Sequence, residues 1–92
     1  MQNSQNWFEQ GVTLFEKRDL TGAIAAFNKA VLFNQSPAEA WYNRGLIFAQ
    51  TGNNMKALQS FDQALSRDPG NDKAKKARTM ILTRMEYQKT RH

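Results

Sequence analysis

The residues able to do covalent or acid–base chemistry are sparse in this 92-residue chain. There is no cysteine, hence no thiolate nucleophile and no disulfide framework. The single histidine is His92, the last residue, and the carboxylates show neither metal-ligand spacing nor the pairing that general acid and base work requires. The sequence therefore predicts no catalytic residue, no metal site and no cofactor, and an enzyme is the class furthest from it. What remains is binding chemistry. Asn43 carries an amide that can both donate to and accept from a peptide backbone. Lys73, Lys75, Lys76, Arg78 and Arg84 gather positive charge that would attract phosphate or an acidic partner in a salt-sensitive way.

That charge is unevenly placed. Up to Asn71 six basic and six acidic residues cancel, whereas from Asp72 onward seven basic residues face only Asp72 and Glu86, so the whole net charge of +5 falls on the last segment. No stretch has the length and apolarity of a signal peptide or membrane span, and the compartment this implies is the cytoplasm.

The elements that must position these groups are announced by an internal period. Trp7 and Trp41 stand 34 residues apart, and the same shift lays Gly11 on Gly45, Ala23 on Ala57, Phe27 on Phe61 and Ala30 on Ala64. A period of this size marks a supersecondary unit that buries its apolar face by stacking on a copy of itself. Polar and glycine-bearing clusters at Lys17–Asp19, Asn34–Pro37, Thr51–Asn53 and Asp68–Asn71 cut the chain into five helix-sized pieces. Ser36-Pro37-Ala38-Glu39 reads as a capping box with proline at the first helical position. Asp19, Asn53 and Asn71 are expected to cap the second, fourth and fifth helices, and Gly52 to end the third in the left-handed conformation. Glycine inside a helix costs about 1 kcal/mol relative to alanine, so Gly11 and Gly45 need a packing reason. The reason expected is close approach of the paired helix, with Phe27 and Phe61 filling the space between. Trp7, Trp41, Phe27 and Phe61 are accordingly read as packing residues, not as a binding site.

The order Trp, Gly, Ala, Phe, Ala at this spacing resembles the tetratricopeptide repeat family. The second copy carries it most fully, from Ala38-Glu39-Ala40-Trp41-Tyr42-Asn43-Arg44-Gly45 through Ala57, Phe61 and Ala64 to Asp68-Pro69. In the first copy Gln10 and Leu14 stand where the family favours Leu and Tyr, and a third copy loses the pattern at Lys75, Arg78 and Thr79. The resemblance implies one all-α, right-handed helical-repeat domain: repeats at about 4–37 and 38–71, a capping helix at about 72–87 and a tail at 88–92. Ala74, Ile81, Leu82 and Met85 are its expected inner stripe, and Lys75 and Arg78 its polar outer face.

In such families the first helix of each pair lines a concave groove, and the resemblance assigns to it Gln5, Phe8, Val12, Phe15 and Glu16, then Glu39, Tyr42, Asn43, Leu46, Ala49 and Gln50. The last helix adds Lys73, Lys76, Ala77 and Met80. Phe8, Val12, Tyr42, Asn43, Leu46, Lys73 and Lys76 are the candidate partner-binding residues: an apolar strip with a basic rim, suited to a protein or peptide partner with apolar anchors and acidic residues. The function implied is a non-catalytic adaptor or scaffold. Two alternatives stand beside it: self-association of that face as a homo-oligomer, and binding of nucleic acid or an acidic surface by the last helix, although no aromatic residues interleave with its charges. Some family members grip a partner's terminal carboxylate with an array of basic and asparagine residues. Of that array only Asn43 and Lys73 match here, with Phe8, Val12 and Ala77 at the other positions, so most of its charge-assisted donors are missing.

Overall fold

The computed structural model describes residues 6–90 as five helices: α1 (Trp7–Glu16), α2 (Leu20–Leu32), α3 (Pro37–Gln50), α4 (Asn54–Arg67) and α5 (Asp72–Thr90). Among the described residues there is no strand. Each helix packs on the next in the chain, and α3 also touches α5. The chain thus zigzags between two layers, α1, α3 and α5 in one and α2 and α4 in the other.

Short polar side chains start four of the helices. Asn6 accepts from the Glu9 amide at 3.0 Å, Asp19 from Gly22 at 3.0 Å, Asn53 from Lys56 at 3.5 Å and Asn71 from Ala74 at 3.1 Å. The capping box expected at α3 does not form. Ser36 sits at φ 46°, in the left-handed region, and its side chain makes no capping bond. The cause is the short link from α2. Its backbone folds back on the helix through Asn34 N–H to Val31 O and Gln35 N–H to Ala30 O, and both Asn34 and Ser36 are driven to positive φ, away from the extended geometry a cap residue needs. Pro37 alone remains as the start signal, at the first position of α3.

The core is built from the repeated residues. Ala23, Phe27, Ala30, Ala40 and Ile47 form one fully buried cluster, and Ala57, Phe61 and Ile81 anchor a second with Phe48, Ala49 and Ala77. A Cβ built on Gly11 would lie 2.5 Å from Cε1 of Phe27, and one on Gly45 the same 2.5 Å from Cε1 of Phe61. The glycines are therefore the sockets for the two rings.

Helix α5 repeats the pattern of a first-of-pair helix: Ala74 and Ile81 are fully buried, as Ala40 and Ile47 are 34 residues earlier. Two expectations about it are corrected. Leu82 is 40% exposed, because it lies on the side of α5 that no other helix covers among the described residues. Arg78 is not on the free outer face but pairs with Asp62 of α4. The helix also runs to Thr90, past residue 87.

Candidate functional site

The face in question belongs to α1, α3 and α5. Because these helices are stacked copies, the 34-residue shift sorts their residues into rungs. Phe8, Tyr42 and Lys76 form one; Val12, Leu46 and Met80 lie one turn further along; Glu16, Gln50 and Arg84 form the last. The register persists into α5, where the Arg84 Nη1 donates to the Ala49 carbonyl at 3.0 Å and to Asn54 Oδ1 at 3.3 Å.

Five of the seven candidate residues are half-buried: Phe8, Val12, Tyr42, Asn43 and Leu46. The aromatic pair has one foot in the core, with the Phe8 ring centroid 5.9 Å from that of Phe27 and the Tyr42 ring 5.8 Å from that of Phe61, both tilted. Val12 packs against the first cluster and Leu46 against the second. The core thus fixes the orientation of these side chains, so a partner would meet a surface that needs no ordering at the moment of contact. Lys73 and Lys76 are exposed, and the ion pair found among the described residues, Arg78 with Asp62, involves neither.

The wider set is less uniform. Ala77 and Ala49 are 8% exposed and belong to the second cluster, so they support the face instead of presenting a surface. Met80 is 46% exposed and Glu39 is exposed. Gln5 and His92 lie outside the described residues. The repeat register also adds Glu9, which the shift places on Asn43 and which is exposed.

Two tryptophans carry cations on their rings. The Lys29 ammonium lies 4.4 Å from the Trp7 ring centroid, and the Arg44 and Arg67 guanidiniums lie 5.1 and 5.8 Å from that of Trp41. Arg44 is held on α3 between Trp41 and Phe48 and donates to Ser60 Oγ of α4 at 2.6 Å. Burial without a counter-ion pushes its pKa down from the ordinary arginine value. These stacks tie paired helices together.

A surface depression of about 930 Å³ lies away from the candidate residues, where α5 overhangs the α3–α4 turn between Met55, Leu82, Met85 and Lys89. Its size does not make it the better site for an extended partner, which lies along an open face and needs no enclosure. Among the described residues no three or more His, Cys, Asp or Glu side chains are placed to hold a metal ion. No helix among them is long and apolar enough to cross a membrane.

Antiparallel helix pairs stacked in register, with a further helix closing one end, define an α-solenoid built for protein–protein contact. The tetratricopeptide repeat profile matches residues 8–72, and the chain belongs to that family. It is similar to the peroxisomal targeting signal receptor of Kluyveromyces lactis, 33% identical over 73 residues, which covers 78% of this chain and 13% of the relative. It is likewise 30% identical over 81 residues to the PEX5-related protein of Mus musculus, covering 88% of this chain and 14% of the relative. An uncharacterized protein of Methanocaldococcus jannaschii is 27% identical over 66 residues, 72% of this chain and 77% of the relative. The chain thus spans about one-seventh of the length of the first two relatives.

Proposed function

We propose that the α1–α3–α5 face binds a segment of a partner protein and that the chain works as an adaptor without catalysing a reaction. One observation carries this reading. Phe8, Val12, Tyr42 and Leu46 form a continuous half-buried strip whose side chains are already locked by the core, beside the exposed lysines Lys73 and Lys76. Apolar anchors held rigidly next to a charged rim are the usual makings of a recognition surface. By its name the yeast relative receives a peroxisomal targeting signal. That fits recognition of a protein segment, and the chemistry of the face favours a segment with apolar anchors and acidic residues. The clamp for a terminal carboxylate is not part of the proposal, because Phe8, Val12 and Ala77 offer no donor there.

The test is to select peptides on the immobilised protein from a random display library and to measure their affinity by calorimetry. Tyr42→Ala or Asn43→Ala should weaken a selected peptide by about 1–3 kcal/mol, the loss of an anchor or of a buried hydrogen bond. Asn43→Ala should leave the melting temperature nearly unchanged, whereas Tyr42→Ala lowers it because its ring packs on Phe61, so its affinity is read well below its own melting transition. Reversing Lys73 and Lys76 should slow association and change its salt dependence while a specific complex still forms. If the Tyr42 and Asn43 variants bind normally and the lysine variants lose all binding, the basic helix is the site and the reading fails.

A further inference from the structure

The same face carries a charge asymmetry that runs from one edge to the other. The α1 edge presents Glu9 and Glu16, both exposed and in no ion pair among the described residues. The α5 edge presents Lys73 and Lys76, exposed and likewise in no ion pair among the described residues, with the half-buried Arg84 further along. Between them lies the apolar rung of Val12, Leu46 and Met80. Two of these charges stand at the wrong end of their own helix. Glu16 closes α1, where the helix dipole disfavours a carboxylate, and Lys73 opens α5, where it disfavours a cation.

We propose that this face pairs with the same face of a second copy about a twofold axis running along α3. Such an axis keeps every residue at its height and exchanges the edges, so α1 of one copy lies over α5 of the other. Glu9, one residue from the level of Lys76, then meets the lysine pair of its partner, and Glu16 meets Arg84, which shares its rung. Val12 faces Met80, and Leu46 faces its own counterpart at the axis. The exposed Glu39 of α3 faces its own counterpart across the axis, but Lys73 of each copy stands at the same level on either side of that pair. With glutamates on one edge, lysines on the other and Leu46 at the axis, the face is largely complementary to itself under this operation, as an isologous interface requires.

The shape permits it. The fold is a slab only 17 Å across in its thinnest Cα dimension, and three stacked helices accumulate only two inter-repeat rotations, so the face is shallow. Three helices about 9 Å apart and presenting about 20 Å of length give a face on the order of 550 Å² per copy, the range of weak, transient pairs. The dimer is accordingly weak. It uses the surface assigned above to a partner segment, so the two occupants compete, and the pairing test uses the full chain alone so that its outcome is separate from peptide binding.

Sedimentation velocity across micromolar to millimolar concentration should show a monomer–dimer equilibrium, weakened about tenfold when salt is raised from about 50 mM to about 500 mM. The acidic variant Lys73→Glu/Lys76→Glu and the basic variant Glu9→Lys/Glu16→Lys should each lose self-association by at least about tenfold. An equimolar mixture of the two should form a heterodimer more tightly than either variant pairs with itself, because the reversed lysine positions of one then face the reversed glutamate positions of the other, and Arg84 against the reversed position 16 is the one like-charged contact. Since the chain has no cysteine, Leu46→Cys gives a second readout. It should cross-link to a dimer under mild oxidation, while Ala25→Cys, exposed on α2, should not. A chain monomeric throughout the range overturns the proposal. So does a mixture that fails to pair, or self-association indifferent to the charge reversals.

Discussion

The two inter-helix turns of the repeats, residues 17–19 and 51–53, have the same backbone and different residues at the position that most constrains it. Arg18 at φ 69° occupies the place of Gly52 at φ 80°, 34 residues later. The hydrogen bonds match as well. Arg18 N–H donates to Phe15 O and Asp19 N–H to Leu14 O at 2.9 Å, while Gly52 N–H donates to Ala49 O and Asn53 N–H to Phe48 O at 2.8 Å. A left-handed arginine costs energy that glycine does not, so the turn cannot be what dictates its own shape. The helices do. Their separation is set by Phe27 against Gly11 and by Phe61 against Gly45, and the turn takes whatever conformation closes that gap.

The most damaging way to break this equivalence is at the sockets. Gly45→Leu should abolish cooperative folding, because its Cβ alone already collides with the fully buried Phe61 ring, and overpacking costs about 1–3 kcal/mol or more. Gly70→Ala meets nothing within 4 Å and should melt with the wild type in a circular dichroism scan. If the two shift equally, the helices are not held apart by the glycine sockets.

Truncation after Asn71 asks whether the second repeat can stand as exposed on its far side as the first is on its near side. The residues that match the buried Ala40 and Ile47 are Asn6, which caps α1, and Thr13 within it, both polar and exposed, so the near side of the first repeat is wettable. The far side of the second is not. Removing Ala77 and Ile81 uncovers Phe48, Ala57 and Phe61, and the fragment should aggregate or lose its cooperative transition. A soluble, cooperatively melting 1–71 fragment would show α5 to be an appendage.

Exchanging the turn residues sharpens the comparison at smaller scale. Gly52→Ala should destabilise by about 1 kcal/mol from backbone strain alone, since no atom lies within 4 Å of the added Cβ. Arg18→Gly should gain up to about 1 kcal/mol, a rise of roughly 4–8 °C in Tm for a domain of this size. At the bottom of the scale, Lys75→Glu on the exposed side of α5 should stay within about 0.5 kcal/mol of the wild type.

What the sequence made legible was whatever repeats or acts locally. The helix pairs, the glycine sockets, the side-chain caps at Asp19, Asn53 and Asn71 and the left-handed Gly52 all follow from residue type and spacing. The features it concealed depend on closure between elements. Ser36 has the residue type of a cap, but the four-residue link to α3 denies it the geometry. Leu82 has an apolar side chain at helical spacing, but which side of α5 is covered depends on how α5 packs on α4 and α3. Arg84 reads as one more basic residue until α3 is placed beside it. For the candidate face, the anchor residues could be read from the register. Glu9 could have been, by the shift onto Asn43, yet its significance emerges only once the opposite edge is seen to be basic.

Gln35 shows what such closure does for the dynamics. Its side-chain oxygen accepts from the amides of Trp7 at 2.6 Å and Phe8 at 3.3 Å, 28 and 27 residues back along the chain. The beginning of the first helix is therefore tethered to the hinge between repeats. Fraying there, ordinarily the cheapest motion a helix has, requires the hinge to let go. In hydrogen–deuterium exchange the Trp7 and Phe8 amides become reporters on a junction far away in sequence, and a Gln35→Ala chain would release them to exchange at the rate of a free end.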